Sequence, residues 1–334
     1  MKQLFILLIT TLLLLPSCKQ NNTSWWEEDN TQEQKIFRFD QLVDEYVSLN
    51  SYTSLQQMNT DYPTPTRLLI EKVLSLGSVQ DTNIEHTLRE FYLDSTMQVI
   101  TQDVRNQYSD LTAEGKEIFA VFNKMKKEDK YFKIPFVYTQ ISGLNQSIVV
   151  GDSLLGISLD KYLGSNYPLY LQYYPENQRR VMNRRNIVPD ALYFYFSHEY
   201  PMAYKHQHTL LEMILDNGKI HWAIAKLRGI SLQEEAGFDS RRTEWYEKNE
   251  ADLWKWMNER NMLSSTDNNY VKFFLSPRDN KIGGNERPDM FGLWLGLQIV
   301  DHYMNSHPEI DLNALLHITD YNELLKQSSY NPGN

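Results

Sequence analysis

The sequence predicts an α+β protein, mostly helical, with a small β-hairpin or sheet packed among helices. Three observations carry that expectation. Apolar residues recur at helical spacing from Phe37 to about Lys130, a short β-rich stretch runs from Phe132 to Leu159, and helical patterning then resumes and continues to Lys326. With 334 residues, 41% of them apolar, the chain can bury a core of its own. Cys18 is its only cysteine, so that core is not supplemented by a disulfide.

In chain order, Met1 to Cys18 comes first. Lys2 supplies a positive start, Leu4 to Leu15 is apolar apart from Thr10 and Thr11, and small Ser17 precedes Cys18. An apolar run of roughly 7–15 residues suits a signal peptide, whereas spanning a bilayer takes about 20. Residues 1–17 are therefore expected to be a signal peptide. Leu15-Pro16-Ser17-Cys18 resembles a bacterial lipobox, with proline an unusual occupant of its second position. The resemblance implies cleavage before Cys18, a diacylglycerol on its sulfur and a further acyl chain on its amine. The mature chain would then be anchored to the cell membrane or outer membrane rather than spanning it. Residues 18–34 read as the lipidated cysteine and a polar, flexible leash. Surface-exported lipoproteins of the Bacteroidota resemble one another in acidic residues just after the cysteine; Lys19, Gln20 and Asn21 stand there instead, which points to a periplasm-facing anchor.

Residues 35–332 are expected to form a single globular domain. Its first part, 35–130, reads as a helical lobe. Phe39, Leu42, Val43, Tyr46 and Val47 make one apolar stripe, Leu68 to Leu76 a second helix stopping at Gly77, and Ile84 to Asn106 and Thr112 to Lys127 two more. In 131–230, Phe132 to Ile141, Ser147 to Val150 and Leu154 to Leu159 read as two or three strands. The last pair forms a hairpin around Gly151-Asp152-Ser153, and Asp160 to Gly164 then turns away from the sheet. Residues 190–227 follow as helix, broken at Pro201, with Asp190 in the first turn where a carboxylate suits the dipole. The last part, 231–332, is a second helical lobe. It holds helices over Asp239 to Arg260, Phe291 to Met304 and Leu312 to Lys326, with a polar loop expected from Thr266 to Arg287.

The constellation nearest to chemistry is His198-Glu199. A zinc protease places two histidines at i and i+4 of one helix, with a glutamate between them as general base. Here Met202 stands at the second ligand position, and Pro201 disturbs the turn that would present it. An irregular zinc site would have to draw on His198, His206, His208 and Glu212, with Glu199 as the base. His206 would lie about 12 Å from His198 along a continuous helix, too far to share a metal unless the chain folds back at Pro201. The blander reading of His208 and Glu212 is polar residues at a helix N-terminus.

No G-x-S-x-G elbow, P-loop or dinucleotide fingerprint occurs, and Glu234-Glu235 is expected to be solvated. Arg179, Arg180, Arg184 and Arg185 form the one basic cluster that stands out, either a solvated face or a binding patch for an anionic partner. The net charge of −10 argues against nucleic acid or an anionic lipid surface as a partner. Trp245 to Trp256 would suit a solute- or glycan-binding surface if those rings were exposed.

Several segments together resemble the gliding-motility lipoprotein GldB family of the Bacteroidota. They are Ile148 to Gly164, with its hairpin and Leu159-Asp160-Lys161-Tyr162-Leu163-Gly164; Tyr167 to Tyr170; Asn186 to Asp190; Leu210 to Ile214 with Gly218-Lys219; Phe291 to Val300; and Ser328 to Pro332. The resemblance covers about 130–332. It implies an envelope protein whose relatives are needed for gliding, though motility itself does not follow from it, and a zincin-like core over 131–230, distantly similar to zinc proteases. Only His198 and Glu199 carry over from the HExxH of those enzymes. The expectation is therefore a non-enzymatic, membrane-anchored protein with no cofactor, acting on another envelope protein. The alternative is a zinc peptidase with an irregular ligand set.

Overall fold

A computed structural model describes residues 34–277 and 288–333. The expected signal peptide, Cys18 and nearly all of the leash lie outside the described residues.

The chain first runs through α1 (Phe39–Leu49), α2 (Tyr52–Thr60), α3 (Pro63–Arg67) with a π-helical turn at Leu68–Val73, α4 (Ile84–Leu93), α5 (Ser95–Gln107) and α6 (Thr112–Glu128). The stripe Phe39, Leu42, Val43, Tyr46 and Val47 is buried as its spacing requires. The segment expected as one helix from Ile84 to Asn106 is two. Asp94 leaves helical geometry and its carboxylate accepts the Thr96 amide (2.8 Å), capping α5.

Three strands follow: β1 (Phe136–Gln140), β2 (Ile148–Gly151) and β3 (Leu154–Ser158), in the order β1-β3-β2. The expected hairpin is β2 against β3, with Ile148 opposite Ile157. The spacing alone did not reveal that β1 pairs in parallel with β3, Phe136 opposite Leu154. β3 is thus the central strand, and all five of its residues are buried.

The rest is α7 (Pro168–Tyr173), α8 (Glu176–Arg179), α9 (Ile187–Glu199), α10 (Leu210–Arg228), α11 (Leu232–Glu235), α12 (Ser240–Glu259), α13 (Asn268–Leu275), α14 (Phe291–Ser306), α15 (Leu312–Leu316) and α16 (Tyr321–Ser328). Three boundaries differ from expectation. The break at Pro201 continues to Thr209, whose hydroxyl and the Glu212 carboxylate form a capping box that starts α10. The stretch expected as a loop from Thr266 contains α13, capped by Asp267 and anchored by buried Phe274. The last expected helix is two, because Asp320 caps a fresh start at Tyr321 (3.0 Å to the Glu323 amide).

Two apolar clusters result. The first joins α1–α6, the sheet and α9 to Ile220, Ala223, Ile224 and Leu227 of α10. The second joins Leu210, Leu211, Ile214, Leu215 and Trp222 of α10 to α14, α16 and parts of α12 and α13. A helix apolar on more than one face is a buried one, and α10 is the wall between the clusters. It crosses α14 where Gly218 meets Gly296: a Cβ on Gly218 would stand 2.4 Å from the Gly296 carbonyl carbon, so only glycine permits this approach.

Candidate functional site

His198 and Glu199 end α9. His198 is exposed, and Glu199 is half-buried with its carboxyl pushed above the usual range by burial, while neighbouring His198 pulls the other way. The chain then runs without helix to Thr209. Met202 turns into the second apolar cluster, as a thioether does in preference to Zn²⁺. His206 is exposed, its ring edge-on to Tyr204 at 6.2 Å. Glu212 is held at the start of α10: it accepts the Thr209 amide (2.9 Å) and the Lys205 ammonium (2.5 Å), and His208 Nδ1 stands 3.5 Å away. Burial pushes the Glu212 carboxyl up, but Lys205 and the Thr209 amide outweigh it and hold it below the usual range. Among the described residues no three His, Cys, Asp or Glu side chains come together as a ligand set. Of the four residues named for an irregular zinc site, His208 and Glu212 stand side by side, while His198 and His206 are exposed and not gathered with them into a ligand set among the described residues.

Three of the four arginines are used inside the molecule. Arg179 donates to the Tyr174 and Ser165 carbonyls (3.1 and 3.0 Å), Arg180 pairs with buried Asp289 (3.1 Å), and Arg184 grips Glu114 through two nitrogens (2.6 and 3.1 Å). Arg185 is exposed. Trp245, Trp254 and Trp256 are half-buried against the second cluster.

Leu159 to Gly164 turns out to be a knot of backbone staples. Asp160, fully buried, accepts the amides of Ser142 (2.8 Å) and Leu144 (2.6 Å) and so closes the loop after β1; burial nevertheless pushes its carboxyl up. Lys161 donates to the Leu144 carbonyl (3.0 Å) and the Tyr174 hydroxyl (2.8 Å). Tyr162 receives the Tyr108 hydroxyl on its carbonyl (2.5 Å), and the Leu163 amide donates to the Tyr170 hydroxyl (3.0 Å).

From Tyr162 a chain of titratable groups continues into the helices, and the spacing did not reveal it. Its hydroxyl donates to Asp190 (2.9 Å). Asp190 lies in the first turn of α9, as its sequence position requires, and is shielded enough that burial pushes its carboxyl up to about 6, against Tyr162 and His221. His221 stacks on Tyr193 (4.7 Å between rings), and its Nδ1 meets Glu235 at 3.2 Å. Glu235, expected to be solvated beside Glu234, is buried because Arg228 also pairs with it (2.6 Å); Arg228 reaches Glu117 as well (2.6 Å). The chain clamps α6, α9, α10 and α11 together. A second buried group is Lys219, whose ammonium meets Asp216 (3.3 Å), the Tyr321 hydroxyl (3.2 Å) and the Ile318 carbonyl (3.0 Å). Lys219 sits among apolar residues of α10, and besides Asp216 one turn away it depends on partners about a hundred positions along the chain.

The fold is thus a mostly helical α+β protein whose motif-bearing segments are tied down by their own hydrogen bonds. Residues 21–332 match the family described as gliding motility protein GldB, and the chain belongs to that family. No protein of curated function and no solved structure matches it.

Proposed function

We propose that the chain is a lipid-anchored envelope protein of the gliding-motility-related GldB type. On this reading it binds another envelope protein and performs no catalysis, and its core is a metallopeptidase-like one whose zinc site has degenerated. The observation that supports this most is the use of the would-be ligands. Met202 lies in an apolar cluster, and Glu212 is neutralised by Lys205 while capping α10. Freeing Glu212 for a metal would take its carboxylate from the Thr209 amide and from Lys205, undoing half of the capping box and leaving Lys205 without that partner. No helix among the described residues is long and apolar enough to cross a membrane. On this reading the lipid on Cys18 holds the protein, facing the periplasm, and Arg185 remains a candidate contact for the partner.

Zinc analysis of the purified chain and of its His198→Ala variant tests the degenerate site. Neither is expected to carry stoichiometric metal, and one zinc per chain that disappears in the variant would sink the reading. Mass spectrometry of the peptide containing Cys18 is expected to find the diacylglycerol thioether; a free thiol there would remove the anchor.

A further inference from the structure

We propose that the C-terminal end of α6 and the loop after it form the edge that rests on anionic phospholipid headgroups. The proposal rests on the lipid anchor at Cys18, and it starts from where the leash joins the fold. Gln34 and Asn123 of α6 exchange side-chain hydrogen bonds (3.3 and 2.6 Å), so the chain leaves the fold beside Asn123. Lys127 is four residues further along the same helix and hence on the same face, one turn away. Residues 124–133 hold five lysines against Glu128 and Asp129 in a chain whose net charge is −10. Lys124 and Lys126 are taken up by backbone carbonyls of Leu227, Lys130 and Phe132, and Lys133 lies 3.7 Å from Asp152. Lys127 and Lys130 are exposed with no ion-pair partner among the described residues.

Between them and Lys133 stands Tyr131, 78% exposed, with the Lys130 ammonium 4.9 Å from its ring. An exposed tyrosine flanked by lysines matches the chemistry of a membrane interface: the ring sits at headgroup level and the ammonium groups meet lipid phosphates. Buried Tyr200 reaches Asp129 (3.4 Å), which brings the end of α9 to the same edge; Tyr204, 90% exposed, follows four residues later. The charge of the whole molecule sharpens the orientation. An acidic protein tethered to an anionic surface is repelled unless a locally basic edge faces it, and the leash leaves from such an edge.

The test uses the full lipidated chain in vesicles. With Cys18 the only native cysteine and its sulfur acylated, Glu128→Cys and, separately, Lys255→Cys on α12 each offer one thiol for a fluorophore. In vesicles of phosphatidylglycerol and phosphatidylethanolamine carrying a headgroup quencher, the label at 128 is expected to be quenched and blue-shifted, and the label at 255 unaffected. Replacing Lys127 and Lys130 by alanine is expected to weaken docking about twenty-five-fold, at about fivefold per lysine. Both positions are exposed, and an unchanged circular-dichroism melt verifies the fold. Equal quenching at 128 and 255 on a chain that floats with the vesicles overturns the orientation while the anchor stands. Equal quenching at 128 in purely zwitterionic vesicles, or no effect of the lysine variants, overturns the anionic-headgroup contact. A chain without lipid that does not float overturns the anchor and the orientation together.

Discussion

The two apolar clusters are tied by different kinds of polar contact. Around the first, side chains mostly satisfy backbone. Asp160 takes two amides, and Tyr92, Tyr108 and Tyr195 donate to the carbonyls of Ile141, Tyr162 and Lys133 (2.6, 2.5 and 2.9 Å). In the second, side chains mostly satisfy one another. Lys219 meets Asp216 and Tyr321, Asp289 meets Arg180 and Arg242, and Trp222 and Trp294 donate to Asp301 and Glu250 (2.8 and 2.9 Å). The reason lies in the elements. A short sheet and its loops leave buried amides and carbonyls that need partners, whereas packed helices satisfy their own backbone and leave buried side chains to find each other. Loss of one partner should therefore harm the second region more, since it strands a charge rather than a neutral amide.

The largest effect is expected where the clusters meet. Gly296→Ala would put a Cβ 2.3 Å from the Ile214 carbonyl oxygen, a clash with backbone that no rotamer relieves. Overpacking of that kind should cost about 3 kcal/mol or more, read as a lowered urea midpoint or loss of soluble protein. A midpoint within experimental error of the parent would show that α10 and α14 can part without loss.

Next come the two variants that compare the regions directly. Lys219→Ala leaves Asp216 without its cation but with the Tyr321 hydroxyl (2.6 Å), and about 3 kcal/mol is expected to be lost in chemical denaturation. Replacing Lys219 by Met and Asp216 by Leu together should recover most of it. Asp160→Ala strands the Ser142 and Leu144 amides and is expected to cost about 2–3 kcal/mol in the same assay. If Asp160→Ala proved the more damaging, the distinction between the two regions would fail.

Much of the fold was legible in the sequence, because apolar spacing is a local property. The α1 stripe, the β2–β3 hairpin, α6 and the buried α14 all follow from it. The capping box of Thr209 and Glu212 was within reach of the same reasoning, and so was the Asp267 cap that starts α13. Polar Asn268 and Asn269 obscured the apolar Tyr270, Val271 and Phe274 behind them. What stayed hidden was partner choice at long range. Nothing near Lys219 announces Tyr321, nothing near Glu235 beyond Arg228 announces His221, and β1's parallel pairing depends on a strand about eighteen residues later. The candidate site was legible as residue types, and its meaning changed once Glu212, Arg179, Arg180 and Arg184 were seen to have partners within the fold.

The smallest effect is also the most specific, because it isolates one group where the clamp leaves the sheet region. Burial holds the Asp190 carboxyl at about 6 in the folded chain, against 3.8 for the ordinary side chain. The folded state thus binds this proton more readily than the unfolded state. The associated stability is fully present below about pH 4 and is lost as the pH rises through 6. Because Asp190 keeps part of its surface in solvent, the loss is put at roughly 1–2 kcal/mol. Asp190→Asn retains an acceptor for the Tyr162 hydroxyl and carries no charge to bury. The variant is therefore expected to match the parent near pH 4.5 and to exceed it by about that amount at pH 7.5, measured as the difference in urea midpoint. A parent whose stability rises through this window relative to the variant would reverse the sign, and Asp190 would then be an ion held by His221 rather than a proton held by burial.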